Sequence, residues 1–345
     1  MYPASFEYVA PATLEEALDT LGRYEDDAKV LAGGQSLIPL MKLRLAAPRV
    51  VVDINRLPGL DTLAEEDGGL RIGALVRHKA CEKSELLGGR WGTLGAAAPL
   101  ISDPIIRNLG TVCGSLAHAD PQGDWGSALL AMDAEVVARG PDGTRTIPLA
   151  ELFDGPFVTS LRPTEIITEV RVPDPGPVAG GTYLKLERKV GDFATVGVAV
   201  HLSMQDRKVE RAGIALTAVG PTNLRATDAE AALAGSELTE EAIREASRLA
   251  AEAAQPHGDT RGSEDFKRNV VRVFTERGLR AAAEAVRAAP PRAAAPREGP
   301  AGEPVTTEAA LDATERHDYF SGEETVAGVM DELEEKPGGP DGGER

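Results

Sequence analysis

The segment Lys29-Val30-Leu31-Ala32-Gly33-Gly34-Gln35-Ser36-Leu37-Ile38-Pro39-Leu40-Met41-Lys42 constrains the fold more than any other stretch of the chain. Its first residues read as a short buried strand. The two glycines turn that strand, and a proline in the first turn of the following apolar run starts a helix. The order strand, Gly-Gly, helix exposes consecutive amides to which the helix N-terminus adds partial positive charge, so the segment is a ready anion site. It is neither G-x-G-x-x-G nor a glycine loop ending in Gly-Lys-Ser/Thr, so the dinucleotide fold and the common nucleotide-triphosphatase fold lose ground. An ordinary strand-to-helix turn would use the same residues.

A second run, Arg107-Asn108-Leu109-Gly110-Thr111-Val112-Cys113-Gly114-Ser115-Leu116-Ala117-His118-Ala119-Asp120-Pro121, reads poorly as core. Gly110 and Gly114 let main chain come close to another group, while Thr111 and Ser115 add hydroxyls beside exposed amides. Such a lining suits a phosphate; a tight glycine turn with a polar rim is the alternative.

Length and charge bound the class. A chain of 345 residues with 42% hydrophobic content can bury two or three cores. Its apolar runs are broken well short of the roughly 20 residues that span a bilayer. The start Met-Tyr-Pro-Ala-Ser-Phe-Glu lacks the basic residues and apolar run of a secretory signal, so a cytoplasmic protein without a membrane span is expected. A net charge of -18 argues against nucleic acid or an anionic membrane as partner, since both need a basic footprint. Cys81 and Cys113 are too few for a disulfide scaffold, a four-thiolate zinc site or an iron-sulfur cluster, and read as reduced thiols.

Along the chain, Thr13 and Glu16 cap a short helix whose Leu14, Ala17, Leu18 and Leu21 share one face. Strand patterns follow at 50–54 and 70–74, then helical stretches at 78–87 and 91–100, then strands at 135–139, 145–149 and 165–173. His78 and Cys81 share a helix face, but two ligands make no metal site, and packing explains them. Pro173, Pro175, Gly176 and Pro177 mark the sharpest domain boundary. Beyond it, three strands (182–188, 195–204, 209–219) and helices over 239–254 and 263–285 predict helices against one face of an antiparallel sheet. From residue 286 onward the chain carries 14 acidic against 6 basic residues and seven prolines, which reads as a disordered acidic tail with one short helix near 323–335.

The two glycine-containing runs together, Ala32 to Arg44 and Gly110 to Pro121, resemble the FAD-binding medium subunit of the carbon monoxide dehydrogenase and xanthine dehydrogenase family of molybdenum hydroxylases. The resemblance extends over residues 6–285, includes Asp192-Phe193-Ala194-Thr195-Val196-Gly197, and leaves the acidic tail uncovered. It implies an α+β protein: a PCMH-type FAD-binding domain of two α/β subdomains (1–57 and 58–176), then a smaller C-terminal domain (177–285) with a three-stranded antiparallel sheet and helices, then the tail (286–345).

The resemblance also implies site residues. The amides of Gly33, Gly34, Gln35 and Ser36, flanked by Ala32 and Leu37, would cradle the FAD pyrophosphate. Thr111, Gly114 and Ser115 would line the other side, with Asp120 toward the ribityl or ribose hydroxyls. Asp103 belongs near the cofactor, and Lys185, after Tyr183, approaches the flavin ring from the C-terminal domain. His118 is either a proton relay at the flavin or a structural hydrogen bond that fixes the loop. The second is simpler, because electron transfer through FAD does not need a side-chain base in every half-reaction. No catalytic residue and no metal ligand is assigned to this chain.

One departure stands out: Cys113 occupies a position that is usually glycine in the family. If that position needs positive φ or close approach, FAD would bind less tightly; burial as a small apolar group is the simpler reading of the thiol. The implied function is electron transfer from the [2Fe-2S] clusters of a small subunit to an external acceptor. Hydroxylation would occur at a molybdenum cofactor in a large subunit, within a dimer of heterotrimers. Two alternatives stay open, an FAD-binding subunit serving another oxidoreductase or assembly, and a flavin-free interaction module with a decayed site.

Overall fold

The computed structural model describes residues 2–288. The acidic tail from 289 onward, with the short helix expected near 323–335, lies outside the described residues.

The chain opens with a parallel sheet of β1 (Glu7–Val9), β2 (Ala28–Leu31) and β3 (Val50–Asp53), in the order β1-β3-β2. Parallel neighbours need crossover connections. Helix α1 (Leu14–Tyr24) leads from β1 to β2, and α2 (Leu37–Lys42) from β2 to β3. The start of α1 is fixed as the Thr13/Glu16 pattern requires: Thr13 Oγ1 accepts from Glu16 N at 3.2 Å, and Glu16 Oε2 accepts from Ala12 N at 2.8 Å. Ala17 and Leu21 on its inner face are buried against β3.

The next unit is an antiparallel sheet and a run of short helices. Strands β4 (Leu63–Glu66) and β5 (Gly69–Gly73) are followed by α3 (His78–Lys83), α4 (Gly92–Ala97), α5 (Pro104–Leu109), α6 (Val112–His118) and α7 (Asp124–Leu130). Strands β6 (Glu135–Gly140) and β7 (Gly143–Pro148) come next, then a small ladder of β8 (Phe153–Gly155) and β9 (Val158–Thr159), then β10 (Ile166–Val172). The large sheet runs β4-β5-β10-β6-β7. β4 pairs with β5 because Asp67 and Gly68 take positive φ and close a tight hairpin.

The C-terminal unit has three long antiparallel strands, β11 (Ala179–Leu186), β12 (Val196–Gln205) and β13 (Lys208–Thr217), extended by the two-residue β14 (Leu224–Arg225). Helices α8 (Thr227–Leu233), α9 (Glu240–Ala253) and α10 (Glu264–Ala288) complete it. Val196, Val198, Val200 and Leu202 of β12 point into a core shared with α9 and α10. The opposite face carries small residues and sits on the helices of the preceding unit. A Cβ on Gly213 would lie 1.7 Å from Ala131 O, and one on Gly181 2.0 Å from Thr93 Oγ1, so only glycine permits this approach. The sheet is thereby sandwiched, and α7, α4 and β11 are held against one another.

Candidate functional site

The two glycine runs, more than seventy residues apart in sequence, meet in space. A Cβ built on Gly33 would fall 2.3 Å from Leu109 O and 2.8 Å from Gly110 Cα, so the first loop packs main chain to main chain against the second. Gly34 takes φ +72°, a left-handed turn that glycine adopts without strain and that redirects the chain from β2 into α2. Among the described residues, no acceptor outside helix and strand ladders takes the amides of Gly33, Gly34, Gln35 or Ser36. Gln35 instead turns its own side chain inward, Nε2 donating to Gly33 O at 3.0 Å. Four half-buried, unspent donors in succession are what an anionic group with several oxygens needs. Helix α2 has only six residues, so the amides themselves, rather than a long helix dipole, carry the positive character.

The second run is more ordered than its composition suggests. It folds as the end of α5 and the whole of α6, with Gly110 and Thr111 between them. Gly110 lies directly over the ring of His78: a Cβ there would come 2.7 Å from His78 Nε2. Burial pushes the His78 imidazole down to about 3, so it is neutral, and its Nδ1 accepts from Trp125 Nε1 at 2.9 Å. The loop rests on that ring, and His78 N donates to Gly110 O at 2.9 Å. Several polar side chains of the run are engaged locally. Asp103 Oδ1 caps α5 by accepting from Ile106 N (2.9 Å), Thr111 Oγ1 caps α6 by accepting from Gly114 N (3.1 Å), and Asp120 Oδ1 accepts from Gln122 N (2.9 Å). Each carboxylate keeps its second oxygen. Ser115 Oγ faces the turn at Gly123.

His118 is half-buried against Phe157, ring centroids 5.1 Å apart. Burial lowers its basicity, against the raising effect of Asp120. Cys113 is in ordinary helical backbone and 3% exposed, its Sγ 3.8 Å from Ile72 O. The thiol therefore points into the sheet and not outward from the loop. Burial raises it well above the ordinary thiol range, so it is an inert core group.

Lys185 reaches this region from β11. Its ammonium, 2% exposed, donates to Leu100 O at 2.8 Å and to Asp124 Oδ2 at 3.0 Å, with Glu187 at 3.4 Å. The Tyr183 hydroxyl donates to Asp124 Oδ1 at 2.7 Å and lies 3.1 Å from Thr217 Oγ1. Burial raises the Asp124 carboxyl against the pull of Lys185 and Tyr183, and burial together with the Asp124 charge raises Tyr183 well above its ordinary value. This cluster joins α7 to the C-terminal sheet.

Sequence reading named Lys185 but missed Asp124, whose only local signal is a carboxylate opening a helix in which every residue is buried. It also missed Asn55 and Arg77. Asn55 follows Asp53 in a short polar turn, which is a weak signal, and Arg77 offers none. Arg107 was quoted but given no role. It is buried, donates to Ile101 O (3.0 Å) and Ser102 O (2.8 Å), and pairs with Glu82 (2.9 Å), fixing the turn before α5.

Comparison with known proteins follows the same division of the chain. Residues 4–175 match the FAD binding domain in molybdopterin dehydrogenase, and residues 181–282 match the CO dehydrogenase flavoprotein C-terminal domain. The chain is an FAD-binding medium subunit of the carbon monoxide dehydrogenase and xanthine dehydrogenase family. The carbon monoxide dehydrogenase medium chain of Hydrogenophaga pseudoflava is 40% identical over 282 residues, 82% of this chain and 98% of that one. The nicotine 6-hydroxylase medium subunit of Paenarthrobacter nicotinovorans is 38% identical over 275 residues, 80% and 96% of the two chains. Among solved structures, Hydrogenophaga pseudoflava carbon monoxide dehydrogenase lacking the Mo-pyranopterin moiety superposes with a TM-score of 0.80 at 42% identity, covering 83% of this chain and 99% of that one.

FAD is accordingly the cofactor of this medium subunit, and the residues present fit it. A dinucleotide carries a diphosphate, the loop at 33–36 offers unspent amides, and the glycine there cannot be replaced without collision. Among the described residues no helix is long and apolar enough to cross a membrane.

Proposed function

We propose that this medium subunit relays electrons within a molybdenum hydroxylase. It would accept them from [2Fe-2S] clusters on a small subunit and deliver them to an external acceptor, while a large subunit hydroxylates substrate at a molybdenum cofactor. The observation that carries the reading is the junction of the two glycine runs, with its four free amides, inside the matched FAD-binding domain. In this reading Gly33 to Ser36, between Ala32 and Leu37, hold the diphosphate. Thr111, Gly114, Ser115 and Asp120 line the facing wall, Asp103 stands at its edge, and Lys185 approaches from the C-terminal domain, paired with Asp124 of α7. His118, packed on Phe157, fixes the α6 end of that wall.

FAD, when bound, supplies a carrier able to exchange one or two electrons. The protein's part is to hold it, exclude water and set the charge around it. With two cysteines, both buried, the chain has too few thiolates to ligate an iron-sulfur cluster of its own, which supports placing that cluster on a partner. The relatives are a medium chain and a medium subunit, and the matched FAD binding domain is that of molybdopterin dehydrogenase, which supports assembly with a molybdenum subunit. A dimer of heterotrimers in the cytoplasm is part of the same proposal.

Copurification from the native host tests it. A complex containing molybdenum, iron and FAD in fixed ratio is expected. A flavin-loaded chain that travels with partners free of molybdenum and iron would overturn the relay and favour service to another oxidoreductase or to assembly. A colourless chain with no affinity for FAD would favour an interaction module.

A further inference from the structure

We propose that Arg77 is the positioning residue that locks the two glycine runs into one cradle, acting with Asn55. The assignment rests on the reading of those runs as the FAD site. Arg77 leaves the sheet just after β5, next to the buried His78. Arg77 is half-buried, and its guanidinium ties the second run to Asn55: Nη1 donates to Leu109 O at 2.5 Å, and Nη2 donates to Asn55 Oδ1 at 2.6 Å. Asn55 then continues the connection, Nδ2 donating to Ala32 O at 2.8 Å. The path from the first loop to the second is thus Ala32 carbonyl, Asn55 amide, Arg77 guanidinium, Leu109 carbonyl.

The anchored carbonyl is also the point of closest approach. Leu109 O is the atom nearest the position a Gly33 Cβ would take, so Arg77 fixes the oxygen against which the first loop is seated. Asn55 is held in turn by Asp53, whose Oδ1 accepts from Asn55 N (2.9 Å) and Nδ2 (2.6 Å), while its Oδ2 accepts from Tyr8 OH at 2.5 Å. The clamp is therefore braced on β1 and β3. Beneath the second run, main-chain bonds from His78 N to Gly110 O (2.9 Å) and from Val112 N to Val76 O (3.1 Å) hold Thr111 beside Arg77.

The geometry sets a requirement for two donors about a guanidinium's width apart. A lysine ammonium is a compact point charge without the planar fork, so it cannot hold both acceptors at that spacing in one fixed plane. Without Arg77, Leu109 O loses its charged donor, Asn55 loses the partner that orients its amide, and the loops are free to part. The consequence falls on how well the amides at 33–36 face the second wall, and hence on FAD affinity, more than on the folding of the core, of which Arg77 and Asn55 are not members.

The test is FAD titration of the full-length chain, stripped of flavin, followed by flavin fluorescence and the visible circular dichroism of the bound flavin. Arg77→Ala, Arg77→Lys, Asn55→Ala, the Arg77→Ala/Asn55→Ala double variant and Gly33→Val are compared. Arg77→Ala should raise the FAD Kd about tenfold or more and change the visible dichroism. Arg77→Lys should recover part of the loss, and the double variant should be no worse than the more damaging single one, because the two residues act in one path. Melting of the flavin-free chain should shift little. If Gly33→Val weakens FAD binding while Arg77→Ala and Asn55→Ala leave Kd and dichroism unchanged, the clamp is wrong. If Gly33→Val also binds normally, the reading of the cradle itself has failed. Should Arg77→Ala not fold, Asn55→Ala and Arg77→Lys decide: normal affinity in both contradicts the clamp.

Discussion

The glycine loop at 33–36 and the charged cluster around Asp124 are built in opposite ways. The loop presents main-chain donors that nothing in the protein consumes, and its geometry is guaranteed by the absence of side chains at Gly33 and Gly34. The cluster presents strong side-chain charges that are already satisfied: Asp124 by Lys185 and Tyr183, and Lys185 in addition by Leu100 O. The first is main chain whose exposed donors, in the proposed reading, suit an anion. The second is a rivet between the FAD-binding domain and the C-terminal sheet, one that a ligand can engage only by exchanging bonds. The difference teaches where each kind of substitution should register, in affinity or in stability.

The sharpest way to break the comparison is Asp124→Ala. It leaves the Lys185 ammonium and the Tyr183 hydroxyl buried without their shared acceptor, and removing one member of a buried ion pair typically costs about 3–5 kcal/mol. Urea denaturation of the full-length chain should show that loss; a change below about 1 kcal/mol would mean that the pair is not the rivet described.

Gly33→Val should act on the other side of the divide. Its Cβ would collide with Leu109 O, so the loops must separate, and a rise of about two orders of magnitude in FAD Kd is expected, equivalent to about 2.7 kcal/mol. Flavin content after purification checks this. Full retention would show that the two runs can part without harm to the site.

A smaller effect follows from the buried histidines. His78 beneath the glycine run and His201 in β12 are both held down to about 3 by burial, against an ordinary value of about 6.5 in the unfolded chain. Below about pH 6.5 the unfolded state therefore takes up protons that the folded state refuses, so stability is full above that pH and declines as pH falls toward 3. Each histidine contributes at most about 1.4 kcal/mol per pH unit. Unfolding free energies at pH 6.5 and pH 5 measure the slope, and His201→Gln should flatten it. An unchanged slope would mean that His201 is protonated in the folded protein.

Much of the fold and part of the site were legible in the sequence, for reasons these regions make plain. Local chemistry reads well. The Thr13/Glu16 cap, the strand before Gly33 and the three long C-terminal strands all rest on near-neighbour preferences, and they form as expected. The run at 107–121 reads from sequence as poor core, a ligand lining or a tight glycine turn. It becomes two short helices because Asp103 and Thr111 cap them and because His78 and Trp125 support them from distant positions. Arg77, Asn55 and Asp124 carry little local signal, because the bonds that give them their roles here run to partners 22 to 61 residues away. Cys113 shows the reverse. It was a visible departure from the family pattern, yet its side chain turns into the core.

Amide hydrogen exchange of the full-length chain, with and without FAD, tests the central claim most directly. Among the described residues amides 33–36 have no acceptor, so they should exchange freely without flavin and become protected when FAD is added, together with amides on the facing run at 111–115. Strands β11 to β13 should change little. FAD binding that leaves 33–36 exchanging as before, with protection gained elsewhere, would contradict the account.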